Sequence, residues 1–323
     1  MTRRLKLACL AGLALCAFAP PALAQGSYPQ RPIRLIVPFA PGGGSDVAGR
    51  LAAQCMTPKL GQAVVVENRG GAGGTIGMEA VAKGTADGYT FAFLTTSSAA
   101  LNVFLYRNLN FDIQRDFQAV GEVGRSPSVL AVRRGLATDV AGLRAAGSRS
   151  GGLTYGSGGN GTVPHLTGAM LGRALGVETT HVPYRGSGPA LTAVVAGQVD
   201  MLLEAVPVVL GQIQEGLVRP LAVASPRRDP LLPDVPTSVE AGLPGFEIEN
   251  WYGVFAPSRV PASVVETVAR ALREGLAEPA CQARLREMGL SGGTSDPAAF
   301  RAYWQAELDR WGPIVAASGM QMD

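Results

Sequence analysis

The sequence predicts an α/β protein of two lobes, each a mixed, mainly parallel sheet flanked by helices. Three observations predict it. Short β-rich runs alternate with helical patterns along most of the chain, an order that puts parallel strands between layers of helix. The 323 residues lose 24 to an N-terminal signal, and the 299 that remain suffice for two domains with substantial cores. Two long extended runs with irregular middles, Ala119 to Val132 and Phe246 to Pro257, cut the chain into three pieces, as strands crossing between two lobes would. The expected division is signal at 1–24, the first part of lobe 1 at 25–124, lobe 2 at 125–248, and the second part of lobe 1, with the C-terminal helices, at 249–323.

Arg3, Arg4 and Lys6 make a basic start, Leu7 to Ala19 an apolar run, and Ala22-Leu23-Ala24 a small-x-small cleavage site, together a secretory signal. The apolar run is shorter than the ~20 residues that span a bilayer, so the mature chain is expected to be released. Removing the signal lowers the 28 basic residues to 25, against 25 acidic ones. A formally neutral protein gives no charge argument for nucleic acid or an anionic membrane surface. Cys9 and Cys16 leave with the signal. Cys55 and Cys281 remain; an oxidising compartment permits them to pair, but both fall on helical patterns and are expected as buried free thiols.

The first mature element is the strand run Ile33 to Phe39, followed by Pro41 and three glycines. Ser45 or Asp46 then caps a helix with apolar positions at Val47, Leu51 and Cys55. Such a loop aims unpaired N–H groups and a positive helix end at one point, which favours an anion. Gly44-x-x-x-x-Gly49 continues Arg50-Leu51 where a P-loop needs Lys and Ser or Thr, so a carboxylate fits better than phosphate. Strand runs follow at Val64 to Glu67 and Tyr89 to Thr95, the latter ending in the hydroxyl-rich Thr95-Thr96-Ser97-Ser98. Beyond the strand run Val129 to Arg133, the segment Thr154 to Gly172 repeats the opening chemistry: a strand, Ser157, glycines interleaved with Asn160, then Thr162 and Pro164 opening a helix. His181 to Pro183 leads into Tyr184, Arg185, Gly186 and Ser187 before another proline-started helix. Strand runs at Asp200 to Leu203 and Pro220 to Ala224 complete the middle piece. In the last piece Ser263-x-x-Glu266 reads as a capping box and Asp296-Pro297 as a cap and first turn. The stripe Phe300, Trp304, Leu308, Trp311 reads as core.

From Tyr28 nearly to its end the chain resembles the Bug family, the extracytoplasmic solute receptors of tripartite tricarboxylate transport systems. The resemblance rests on PIRLIVPFAPGGGSD, VVENRGGAGGTIG, ADGY, YGSGGNGT, VPYRGSGPAL, AGQVD, RPLAVASPRR, LPDVPTSVEAG and NWYGVFAP, in that order. It implies the type II periplasmic binding-protein fold, a periplasmic location, and capture of one carboxylate of a small organic acid between the lobes. It also implies ligand contacts from Phe39, Gly43, Ser45 and Asp46, and from Ser157, Asn160, Gly161 and Thr162. The loop of Thr96 and Ser97 faces the same cleft, although it departs from the family's commoner Gly-Thr or Asn-x-Thr-His patterns. Tyr184 completes the expected set. Arg185 either pairs with the distal carboxylate of a diacid or is a solvated turn residue, and Glu204 either discriminates among ligands or caps. The implied partners are the membrane permease subunits of a transporter or, alternatively, a sensor kinase; the receptor is expected to be a monomer.

An enzyme is the competing class. Ser45 lacks the second glycine of G-x-S-x-G, where Val47 stands, and Ser157 lacks the first, where Tyr155 stands. His165 and His181, the only histidines, lack metal-ligand spacing. No catalytic residue, metal or cofactor is expected.

Overall fold

The computed structural model describes residues 28–293 and 296–322. The signal sequence and its cleavage site lie outside the described residues. Nine strands form one continuous sheet: β1 (Ile33–Val37), β2 (Val64–Asn68), β3 (Thr90–Thr95), β4 (Phe117–Arg133), β5 (Leu153–Ser157), β6 (Thr179–Pro183), β7 (Met201–Ala205), β8 (Val218–Val223) and β9 (Glu249–Pro257). The helices are α1 (Gly44–Leu60), α2 (Thr75–Ala82), α3 (Asn102–Leu105), α4 (Ile113–Asp116), α5 (Val140–Ser150), α6 (Val163–Leu175), α7 (Ser187–Val195), α8 (Val206–Gln214), α9 (Ala262–Leu276), α10 (Pro279–Glu287) and α11 (Pro297–Ser318). The strand order is β2-β1-β3-β9-β4-β7-β5-β6, with β8 also on β4.

Each end of the sheet is parallel and its middle antiparallel. β1 pairs in parallel with β2 and β3, and β5 with β6 and β7, as strand–helix–strand crossovers require. β4 joins the two ends. Its Phe117 to Pro127 stretch pairs with β9, while Val129 to Val132 pair with β7 and β8. Register shifts at Ala119/Gly121 and Glu122/Gly124 are the irregular middle that the sequence foreshadows. The second crossing is looser than a strand: Ser128 donates to the Ile248 carbonyl and Ile248 to that of Ala224, after which β9 belongs to the first lobe. The result is a two-lobed fold on a mixed sheet. Four of its pairings are parallel and four antiparallel, so the lobes are mixed but not mainly parallel as expected, because β4 and β9 both run against their neighbours where they link the lobes.

α1 and α9 cover one face of the first lobe, burying Leu51, Ala52, Val268, Ala269 and Leu272. At their crossing a Cβ on Gly275 would lie 2.2 Å from the Cys55 carbonyl oxygen, so this contact needs glycine. Cys55 and Cys281 form a disulfide tying α1 to α10, Cα atoms 6.3 Å apart, which corrects the expectation of two free thiols. Both thiols do lie on helices; the helices happen to meet. Phe300, Trp304, Leu308 and Trp311 of α11 are buried core. The Trp251 and Trp311 indoles both donate to Glu307, and that of Trp304 donates to the Ala99 carbonyl.

Two helix starts differ from expectation. Gly43, not Ser45 or Asp46, is the cap of α1, and Val47 is exposed while the neighbouring Ala48 is buried. α9 is preceded by Pro261 with no side-chain cap, so Ser263 and Glu266 form no capping box. Asp296 does cap α11, accepting from the Ala298 and Ala299 N–H groups. Among the described residues no helix is long and apolar enough to cross a membrane, and no three His, Cys, Asp or Glu side chains gather as a metal site.

Candidate functional site

Four helix starts converge where the lobes meet. Gly43, Gly44 and Ser45 come from α1 of the first lobe; Thr162 and Pro164 of α6, Gly186 and Ser187 of α7, and Ala205 and Val208 at α8 come from the second. They enclose a cavity of about 50 Å³, room for a few waters or one small polar group. The leading N–H groups of a helix lack partners in its own backbone, and the residues at these helix starts line the cavity together with hydroxyls. Thr95 at the end of β3 and Ser97 in the helical turn that follows, with Asn250 and Tyr252 of β9, complete the polar wall, and Phe39 and Val208 supply apolar surface. A larger recess of about 710 Å³ lies outside it; Phe39, Ala40, Gly158 and Gly186 are common to both.

Glycine at position 44 keeps the inner cavity open. A Cβ there would approach Val208 to 3.0 Å and the Tyr252 hydroxyl to 3.1 Å. Asp46 works one layer back. Its carboxylate accepts from the Gly42 N–H and from the side chains of Arg50 and Asn68, and Asn68 also donates to the Phe39 carbonyl, fixing the loop over the cavity. Burial opposes the charge of Asp46, but hydrogen bonds from Arg50, Gly42 and Asn68 hold its pKa below the ordinary value.

The sequence-selected residues therefore sort by position. Phe39, Gly43, Ser45, Ser97, Thr162 and Glu204 line the inner cavity. Asn160, Tyr184 and Arg185 line the outer recess. Asp46, Thr96, Ser157 and Gly161 line neither. Thr96 Oγ1 accepts from the Trp251 N–H, and the Gly161 N–H donates to His165 Nδ1. Ser157 is fully buried, its Oγ 2.6 Å from His181 Nε2 and accepting from the Gly159 N–H. Ser187, Asn250 and Tyr252 join the site although the sequence does not single them out as ligand contacts. The motifs VPYRGSGPAL and NWYGVFAP carry them, but only the fold shows which side chains face inward.

Ser157 and His181 give the histidine-within-reach geometry that an enzyme would need, yet the pair does not make a nucleophile. The hydroxyl opens on neither cavity, and among the described residues no carboxylate orients His181. His181 instead stacks on His165 with ring centroids 4.0 Å apart, and burial lowers both pKa values, that of His181 to about 4. The pair is a neutral polar support beneath the α6 loop.

The lobes touch around the cavity. The Val163 N–H donates to Ser97 Oγ at 2.9 Å, Tyr106 Oη to the Asn160 carbonyl at 3.4 Å, and Arg173 to the Ser318 carbonyl at 2.9 Å. A cleft between two lobes, lined by helix starts and hydroxyls and bridged by hydrogen bonds, defines the class as a solute-binding protein.

Comparison with known proteins gives the same class. The family model described as tripartite tricarboxylate transporter family receptor matches residues 48–320, and the chain belongs to this family. It is 39% identical over 313 residues to the protein of the tcbD-tcbE intergenic region of Pseudomonas sp. (strain P51), covering 95% of this chain and 92% of that one. BugT of Bordetella pertussis is 34% identical, covering 96% of each chain. Among solved structures, R. palustris Rpa4515 with adipate superposes with a TM-score of 0.87 at 34% identity, over 91% of this chain and 99% of that one. MatC (Rpa3494) from Rhodopseudomonas palustris with bound malate gives 0.84 at 32%, over 89% and 100%. The chain is a solute-binding receptor and not an enzyme.

Proposed function

We propose that the mature chain is a periplasmic receptor that captures a small organic carboxylate between its lobes and delivers it to the membrane subunits of a tripartite tricarboxylate-type transporter. One observation carries the ligand class: helix N-termini from both lobes open on a single polar cavity. A carboxylate there gains charge-assisted hydrogen bonds from N–H groups and hydroxyls. The adipate and malate seen in the two related structures support this chemistry. Phe39, Gly43, Ser45, Ser97, Thr162, Ser187 and Tyr252 form the contact set on this reading. Asp46, Thr96, Ser157 and Gly161 position it, while Asn160, Tyr184 and Arg185 meet whatever extends into the outer recess.

The reading also assigns export to residues 1–24, the lobes to 25–124 with 249–323 and to 125–248, and action as a monomer. A thermal-shift screen of mono-, di- and tricarboxylates, amino acids and neutral sugars tests it, because a ligand of the native state raises Tm. Carboxylates are expected to stand out, with one-to-one binding and no turnover by calorimetry. Stabilisation by neutral solutes alone would overturn the assignment.

A further inference from the structure

The inner cavity contains one carboxylic acid and no base. Glu204, at the end of β7, is 7% exposed, and none of the residues lining the cavity with it is Lys, Arg or His. Its Oε1 accepts from Ser187 Oγ at 3.0 Å. The other polar groups of the cavity wall are Ser45 of α1, Thr95 at the end of β3, Ser97 in the helical turn that follows, Thr162 before α6, and Asn250 and Tyr252 of β9; α8 contributes Val208, and β4 runs alongside with Val129 in register. Only Tyr252 among these titrates, and burial followed by the Glu204 charge pushes its phenol far above the physiological range. A carboxylate entering this space therefore meets a second carboxylate with no cation between them.

We infer that a carboxylate ligand enters the cavity together with one proton, which Glu204 takes up, so that the receptor binds acid and proton as a unit. The inference rests on the carboxylate reading above. The balance is simple: the Glu204 carboxylate, a solvent proton and the ligand carboxylate become a neutral Glu204 acid beside a ligand anion. Like charges sharing a site cannot both ionise without strong mutual penalty. The starts of α7 and α8 ease one negative charge, that of Glu204 itself, and leave those of α1 and α6 for the ligand. An ammonium on the ligand would balance the charge instead, but it needs room in a cavity of about 50 Å³, whereas a proton needs none. Burial already raises the Glu204 carboxyl to about 7, and a ligand carboxylate beside it with no cation between them drives it well above that, so the acid stays protonated in the complex through pH 8.

Calorimetry of the mature protein with malate and adipate, and with any acid found by the thermal-shift screen, tests this in buffers of unequal ionisation enthalpy from pH 6 to 9. Wild type is expected to take up close to one proton per ligand at pH 8, with affinity falling about tenfold per pH unit above 7. Glu204→Gln is expected to bind without proton uptake, with affinity level across the range and tighter than wild type at pH 9. Binding by wild type without uptake at pH 8, or uptake unchanged in the variant, overturns the inference. Should the variant not fold, infrared spectra of wild type decide: a protonated carboxyl band that titrates near pH 7 in free protein and persists to higher pH with ligand supports it, and absence of that band overturns it. Failure of every acid to bind is a different result; it removes the carboxylate reading, and the inference with it.

Discussion

Ser97 and Ser157 look alike in the sequence, each a hydroxyl beside a strand end, and the fold gives them different work. Ser97 lines the cavity and accepts the Val163 N–H from the other lobe. Ser97→Ala is expected to weaken carboxylate binding about tenfold, since a hydrogen bond to a charged group contributes roughly 1.5–3 kcal/mol. Calorimetry that finds wild-type affinity would remove Ser97 from the contact set. Ser157 is engaged with His181 and Gly159, so Ser157→Ala should lower stability in chemical denaturation by about 1–3 kcal/mol, the penalty of an unpaired buried group, with a smaller effect on affinity. The paired histidines make stability depend on pH. Their folded pKa values lie below the unfolded 6.5, so the unfolded state binds more protons below that pH. Stability is thus full above pH 6.5 and falls as pH drops through about 4. Glu204 has the opposite sign: its folded value of about 7 exceeds the unfolded one, and its contribution is lost as pH rises through 7. Urea unfolding from pH 8 to 4.5 of Glu204→Gln, with and without His181→Gln, isolates the histidine share, because Asp229 and Glu249, whose carboxyls burial raises, titrate alike in both. Identical profiles would contradict the buried neutral state of His181. None of this was legible beforehand, because His165 and His181 are sixteen positions apart and meet only through the packing of α6 on β6.

At the scale of elements the glycine-rich loop and the helix behind it are plain in the sequence, while the cap is not. Ser45 and Asp46 are good capping residues, but the chain turns helical at Gly44, which frees Ser45 for the cavity and Asp46 for the loop. That shift makes Gly44 informative. Its backbone is ordinary helix, so Gly44→Ala favours α1 by up to about 1 kcal/mol, yet the new methyl group presses on Val208 and Tyr252. The expected result is an unliganded Tm unchanged or raised and an affinity at least about tenfold weaker; tight binding by a stable Gly44→Ala would mean that the ligand does not sit at this helix start. The disulfide shows the other limit of sequence reading. Spacing cannot reveal that two cysteines 226 positions apart face each other, since the contact depends on α9 docking across α1 and carrying α10 with it. Closing so long a loop constrains the unfolded chain strongly, and the Cys55→Ser, Cys281→Ser double variant should lose about 2–5 kcal/mol of stability. Equal denaturation midpoints for oxidised and reduced wild type would show that the bond contributes nothing.

Across the whole molecule, alternating strands and helices and the two long extended runs reveal a two-lobed sheet, whereas the state of the cleft is a matter of contacts between remote segments. β4 runs unbroken between the lobes, bulged at Ala119/Gly121 and Glu122/Gly124, and the return passes through the irregular stretch before β9. Two such connections permit hinge closure of the kind seen in periplasmic binding proteins. Bonds between the lobes include Val163 to Ser97, Tyr106 to Asn160, Arg310 to the Glu247 carbonyl, and Arg173 to the carbonyls of Ala317 and Ser318 at the end of α11. Arg173 is exposed and lines neither the inner cavity nor the outer recess. Its contribution to binding therefore acts only through the population of the closed form. Losing exposed hydrogen bonds worth about 0.5–1 kcal/mol lowers that population and raises the apparent dissociation constant in proportion, about two- to fivefold. Arg173→Ala should accordingly bind each ligand of the wild type more weakly by one common factor, with their ranking preserved. Its unliganded form should have the larger radius of gyration in small-angle scattering, and saturating ligand should bring both proteins to the same value. A variant that reorders the ligands would place Arg173 in contact with them, and one that matches wild type in both scattering and affinity would show that the α6–α11 contact has no part in closure.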